Sequence, residues 1–220
     1  MYQINSSLYT MTLDEVLKLA ASRSHAPGGG SVAAMSGAMG AAMASMAANL
    51  TIGKGGYEGV WELCSKYLSL LEEGLADLKE RSLEDMRAFD KVMAALRLPK
   101  GSKREVELRL ESIQLALKDA CEVPLSLAEK IVSLMEVNLA LAEVANQFAV
   151  SDCGVAAILL ESAARAALIS IEVNRKELID KDYSRLLEAR KRSLEEASQK
   201  LLKRTLKSVK ERQSYSISKK

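Results

Sequence analysis

The chain has 220 residues, enough for one large domain with a substantial core. Its 31 Lys and Arg nearly balance 29 Asp and Glu, so a formal charge of +2 gives no concentrated basic face for nucleic acid. Three cysteines without a CxxC pair, and the single histidine His25, leave too few ligands for a Cys/His metal site.

Apolar residues make up 48% but aromatics only 4%, so the core must be Leu, Ala, Met, Val and Ile. Leu, Ala, Glu, Lys and Arg dominate, which is helix composition. Cys64, Cys121 and Cys153 read as free, buried thiols of a reducing cytoplasm. The polar stretch from Gln3 to Ser7 lacks the charged-then-apolar layout of a signal peptide. Residues 31–52 carry no charge over about one membrane thickness. They are Ala, Ser, Gly and Met rather than strongly lipophilic, and so read as a buried central helix, not a membrane span.

In chain order, Thr12-x-x-Glu15 is a capping box opening a helix that should end near Ser24. Pro27-Gly28-Gly29-Gly30 breaks the chain, and Ser31 is placed to cap a second helix to about Leu50. Its small residues Ala34, Gly37, Ala41, Ala44 and Ala48 permit close helix approach, and Met35, Met39 and Met43 read as core packing. Gly53, Gly55 and Gly56 then break the chain; with no preceding strand, Gly53-Lys54-Gly55-Gly56 is not a phosphate loop.

A long helix should cover about 58–96. Leu71, Leu75, Leu78, Ser82, Asp85, Phe89, Val92 and Leu96 alternate steps of four and three, the seam of a packed bundle. Ser102-x-x-Glu105 is a second capping box, and Pro124 is placed as a helix-start proline. Leu127, Ile131, Leu134, Asn138, Leu141, Ala145 and Phe148 form another seam. Ser151-Asp152 opens a helix to about Val173, with Glu161 and Arg165 paired at i, i+4. A charged helix, about 183–209, ends the fold, and the polar tail after Glu211 is expected to fray. No repeat or strand run is present, so residues 1–220 are predicted to be one all-α, single-domain helical bundle.

Two features could carry chemistry. The glycine turn at residues 27–31 offers backbone N–H groups at a helix N-terminus, a site for anionic or electron-rich groups, or else a tight connection. Asp85 puts a carboxylate on an apolar seam. Desolvated, it would hold a proton near neutral pH and serve as an acid; paired with Arg81 or a helix end, it would be structural. Asp152 reads first as a cap, Asn138 and Asn146 as register-fixing or ligand-binding amides, and His25 as a solvated loop residue or a proton carrier. Cys153 has no histidine base near it in sequence, so no thiol nucleophile is expected.

Four blocks in order carry a family resemblance. They are Ala26-Pro27-Gly28-Gly29-Gly30-Ser31-Val32-Ala33-Ala34, running on to Asn49-Leu50-Thr51-Ile52-Gly53-Lys54; Asp85-x-x-Ala88-Phe89-x-x-Val92-Met93-x-Ala95-x-x-Leu98-Pro99-Lys100; Val123-Pro124-Leu125; and Asn146-x-x-x-x-Ser151-Asp152-x-Gly154-Val155-Ala156-Ala157. Spread over about residues 12–175, they resemble the formiminotetrahydrofolate cyclodeaminase/cyclohydrolase family. The resemblance implies an all-helical homodimer acting on a tetrahydrofolate without metal or redox cofactor. The expected reaction closes 5-formiminotetrahydrofolate to 5,10-methenyltetrahydrofolate with release of ammonia. The alternatives are interconversion of methenyl- and 10-formyltetrahydrofolate with water, or a helical folate-binding protein without turnover. By the same resemblance Asp85 is the catalytic acid, and Pro27, Gly28, Gly29, Gly30, Ser31, Asn49, Lys54, Lys100, Asn146 and Asp152 form the folate site. His25, Ala145 and the stretch Ser170-Ile171-Glu172-Val173-Asn174-Arg175 depart from the family's pattern, which keeps only Asn174 there. Ser170 and Glu172, if they lie near the ligand, would alter substrate choice or activity.

Overall fold

A computed structural model describes residues 8–217. Among these the chain is all helical: short 3-10 turns at Leu8–Thr10 and Glu58–Val60, and helices α1 (Leu13–Ala20), α2 (Gly29–Asn49), α3 (Trp61–Leu96), α4 (Lys103–Val144), α5 (Val150–Lys176) and α6 (Lys181–Ile217). Both capping boxes form: the N–H of Glu15 donates to Thr12 Oγ1 and that of Glu105 to Ser102 Oγ, each at 3.3 Å, with reciprocal carboxylate bonds. The first helix stops at Ala20, short of Ser24. The Ser22 hydroxyl takes the Leu19 carbonyl at 2.7 Å and accepts the Ser24 N–H at 3.0 Å, replacing the next turn's bonds.

The last helix overruns its expected end. Residues past Val209 and Glu211 stay helical because Arg212 closes the C-terminus of α4, donating to the Glu143 carbonyl at 2.7 Å and to that of Ala145. These carbonyls would otherwise lack partners. Arg212→Ala is expected to cost about 1–2 kcal/mol, the value of charge-assisted bonds at a half-exposed site. Urea unfolding would show it as a lower midpoint at unchanged slope.

Pairs of touching residues fix the topology. Gly30 meets Asp85 and Gly37 meets Leu78, so α2 and α3 are antiparallel. Gly74 meets Leu134, Asn138 reaches the Cys153 carbonyl at 2.9 Å, and Gly40 meets Leu160. Helices α2–α5 therefore form an up-down-up-down bundle, with α6 laid along α4 and α5. The small-residue stripe works as expected: Ala34, Gly37, Ala41, Ala44 and Ala48 are buried. A Cβ on Gly40 would lie 2.8 Å from Leu160, and one on Gly74 2.3 Å from Leu134, so the partner side chains occupy those spaces.

The methionine stripe packs only in part: Met43 lies against the core, while the rest of the stripe turns away from it. Met39 is 58% exposed, and Met35 and Met43 are half-buried, because α2 buries one face among α3, α4 and α5 and turns the other outward. Pro124 does not start a helix; it lies buried inside α4, which runs through it unbroken. Proline has no N–H to give the Ala120 carbonyl one turn back, and Asn174 of α5 supplies the missing donor at 3.1 Å. Asn138 fixes α4 to α5. By length and composition α2 and α5 could each cross a membrane, but just over half of each apolar stretch is used in packing within the bundle.

Candidate active site

The glycine turn and Asp85 come together. Ser31 does not cap α2: Gly28 takes the N-cap position, and Ser31 lies inside the first turn with no exposed surface. The cap comes instead from α3. Asp85 Oδ2 accepts the Ser31 N–H at 2.9 Å, which satisfies an end-of-helix donor across 54 residues of sequence. The Ser31 hydroxyl lies 2.9 Å from the same Oδ2 and 3.0 Å from the Ser82 carbonyl.

Among the described residues Asp85 Oδ1 has no such partner, and it rests against Gly30, where a Cβ would fall 2.0 Å from it. Only glycine lets the carboxyl lie this close to the helix entrance. Burial raises the Asp85 carboxyl above its ordinary value, and the Ser31 hydroxyl and N–H oppose that rise. Arg81 is not its partner; it bonds Asp77 at 3.1 Å and Ser126 at 2.7 Å.

Around this pair lie groups that sequence reasoning missed or left open. Ser170 Oγ of α5 is 3.7 Å from where a Gly29 Cβ would be, so that departure lies at the turn. Nothing in its local pattern marks it, because only the α2–α5 register brings it there. Glu172 faces away, paired with Arg175 at 2.8 Å and Lys191 at 3.6 Å. Tyr9 packs beside Ser82 under the site, where burial pushes its phenol up to about 12. His25 stacks on Phe89 with ring centroids 5.9 Å apart. Pro27 and Gly30 are buried, Gly28 is half-buried and Gly29 is exposed, so the turn offers its Gly29 edge to solvent. Beyond Asp85 the α3 seam is only partly covered, since α2 begins there: Val92 still packs on the core, while Phe89 and Leu96 are 40% and 44% exposed.

The other sequence-derived site residues lie elsewhere. Asn49 is at the far end of α2, about 27 Å from Ser31 at the usual rise per residue. It lines a shallow groove of about 530 Å³ with Ser45, Met46 and Glu72. Lys54 is exposed on the turn that follows, where Gly53 and Gly56 have φ of 77° and 86°. Asn146 ties that same end: its side chain donates to the Leu50 carbonyl at 3.0 Å and its N–H to Thr51 at 2.8 Å. Asp152 is in the first turn of α5, not at its cap, which is Ala149. Lys100 is exposed past the end of α3, on the α3–α4 hairpin.

All three thiols are free and buried, and burial raises each, Cys121 and Cys153 to about 12, so none is a ready nucleophile. No cluster of three His, Cys, Asp or Glu suited to a metal occurs among the described residues.

A half-buried carboxyl with one oxygen held and one free, set at a glycine-opened helix N-terminus, has the geometry to exchange a proton beside a helix entrance suited to an electron-rich group. The family model of formiminotransferase-cyclodeaminase matches residues 12–193, and the chain belongs to that family of folate one-carbon enzymes. It is 40% identical to a methenyltetrahydrofolate cyclohydrolase of Methylorubrum extorquens over 79% of this chain and 83% of that one. It is 34% identical to the formimidoyltransferase-cyclodeaminase of Gallus gallus over 90% of this chain but only 37% of that longer protein. Its fold matches the crystal structure of formiminotetrahydrofolate cyclodeaminase from Thermotoga maritima with a TM-score of 0.82 and 30% identity, covering 92% of this chain and 97% of that one.

Proposed function

We propose that the protein hydrolyses 5,10-methenyltetrahydrofolate to 10-formyltetrahydrofolate, with Asp85 as the acid–base group. The observation that carries this is the free Oδ1 of a desolvated carboxyl at the α2 entrance. Water adds to the bridging methenyl carbon as Asp85 takes one of its protons. The bond from that carbon to N5 then breaks, and Asp85 returns the proton to N5. The remaining hydroxyl proton leaves as the formyl carbonyl forms, so one proton is released per turnover. The reaction balances with folate and water alone, and general acid–base transfer of this kind is worth about 10²–10⁴-fold.

The similarity to the Methylorubrum cyclohydrolase along most of both chains favours this reaction over the cyclodeaminase. The whole-chain likeness to the Thermotoga cyclodeaminase supports a second reading on the same residues. There N10 attacks the formimino carbon, Asp85 protonates the departing nitrogen, and one proton is taken up as ammonia leaves. Methenyltetrahydrofolate absorbance separates the two: it falls when the methenyl compound is supplied to a hydrolase, and rises from 5-formiminotetrahydrofolate with a cyclodeaminase. Folate binding with neither change would defeat both readings.

The working form is a cytoplasmic homodimer joined through α2 and α5. Val32, Met39 and Met46 on α2 and Leu50 just past its end, with Val155, Ile158, Ile169 and Val173 on α5, are each more than 40% exposed. The antiparallel register sets these strips side by side, an apolar area of the kind that marks an interface. Two-fold packing of antiparallel α2 helices would also bring the Asn49 and Lys54 end of one protomer to the glycine turn of the other. Met39→Glu is expected to yield folded monomers, read by light scattering after size exclusion; an unchanged mass would place the interface elsewhere.

A further inference from the structure

The Ser31 hydroxyl has more acceptors than protons. It lies 2.9 Å from Asp85 Oδ2 and 3.0 Å from the Ser82 carbonyl, yet carries a single hydrogen. The carbonyl can only accept. While Asp85 is ionised, the hydroxyl can serve one of these oxygens but not both. Ser31 and Ser82 have no exposed surface, so bulk solvent does not make up the difference. The Ser31 N–H meanwhile holds Oδ2 in place from the backbone at 2.9 Å.

Resting on the reading of Asp85 as the acid–base group, we propose that Ser31 is a proton-following positioning residue. Its hydroxyl donates to Oδ2 while Asp85 is ionised, and turns to the Ser82 carbonyl when Asp85 takes up a proton. A neutral carboxyl is a weaker acceptor than a carboxylate, so the hydroxyl then favours the carbonyl. If the proton sits on Oδ2, the carboxyl donates it to Ser31 Oγ and the chain of bonds ends on Ser82. In both protonation states Oδ2 stays bonded and Oδ1 stays against Gly30. The carboxyl changes charge without changing place, and a rotating hydroxyl replaces a moving side chain.

The surroundings leave this role to Ser31. On α3, Arg81 is engaged with Asp77 and Ser126. From the first 3-10 turn, Tyr9 packs on Ser82; from the loop, His25 stacks on Phe89; from α5, Ser170 is neutral and Glu172 is paired with Arg175 of α5 and Lys191 of α6. The influences on Asp85 are burial and its two bonds to Ser31, with no ionised side chain among them.

Ser31→Ala removes a charge-assisted donor from the ionised state, while the neutral state loses little. The acid limb of the pH–kcat profile should therefore move upward by about one unit, with KM for the folate changed less than about twofold. Ser31→Cys keeps a weak donor and should shift it by less. The ¹³C carboxyl resonance of Asp85 in the free protein should titrate at correspondingly higher pH, a readout that does not depend on turnover. If Asp85→Asn keeps its turnover, the acid–base reading fails and this proposal with it. If Asp85→Asn is inactive but neither the profile nor the resonance moves in Ser31→Ala, Ser31 is merely structural and the assignment of Asp85 stands.

Discussion

Asp85→Asn is expected to fold, to keep folate binding and to lose turnover by about 10²–10⁴-fold, the usual worth of a positioned acid–base group. The amide has the shape of the carboxyl, and its oxygen can still accept the Ser31 N–H that Oδ2 accepts at 2.9 Å. It cannot carry a proton to or from the folate. Steady-state kinetics with a folate-binding titration checks the split. Turnover close to wild type would remove Asp85 from the chemistry.

The same variant tests desolvation through stability. Burial raises the Asp85 pKa in the folded chain, so the folded state keeps a proton that the unfolded chain has already released. Where the folded state binds more protons, stability falls as pH rises, from the ordinary carboxylate value up to the folded pKa. Asparagine has no such loss. The variant should gain stability relative to wild type across that window and show no added gain below it. Urea unfolding at about pH 4 and about pH 8 reads this difference. Parallel pH dependence in the two proteins would mean that the carboxyl is not desolvated.

Gly30→Ala is expected to separate stability from activity. Its new methyl would lie 2.0 Å from Asp85 Oδ1 and 2.5 Å from Cγ, closer than any real contact. Either the carboxyl swings out or the start of α2 backs away, and both displace the acid. A misplacement of about 1 Å costs on the order of 10²-fold in rate. Stability should hold up better, because alanine is the better helix former by about 1 kcal/mol, offsetting part of the strain. Gly29→Ala is the contrast. Its Cβ meets only Ser170 Oγ, at an ordinary 3.7 Å, so Asp85 stays put and the effect should fall on KM. Equal loss of kcat in both variants would mean that the turn, not the Asp85 contact, is what matters.

The sequence by itself determined the all-helical class and most of the helix spans, and it singled out Asp85 and the glycine turn as candidates. The capping boxes at Thr12 and Ser102 fixed two helix starts because they are local, satisfied by atoms three residues away. The stripe from Ala34 to Ala48 marked close packing because helical periodicity is also local. Asp85 stood out because a carboxylate on an apolar seam needs a reason. Tertiary structure decided what each residue faces. Pro124 can lie inside a helix only because Asn174, from another helix, takes the Ala120 carbonyl. Met39 and Met46 of α2 face outward because three neighbouring helices take up its other side.

The glycine turn and Asp85 lie 54 residues apart and meet only through the α2–α3 register. That meeting made Asp85 the cap of α2 and Ser31 its buried partner, reversing the roles local pattern had given them. It also divided the family-derived site, leaving Asn49, Lys54 and Asn146 at the other end of α2. A side chain's type is written in the sequence; its partners depend on how long helices are laid against one another, and no short window of residues contains that.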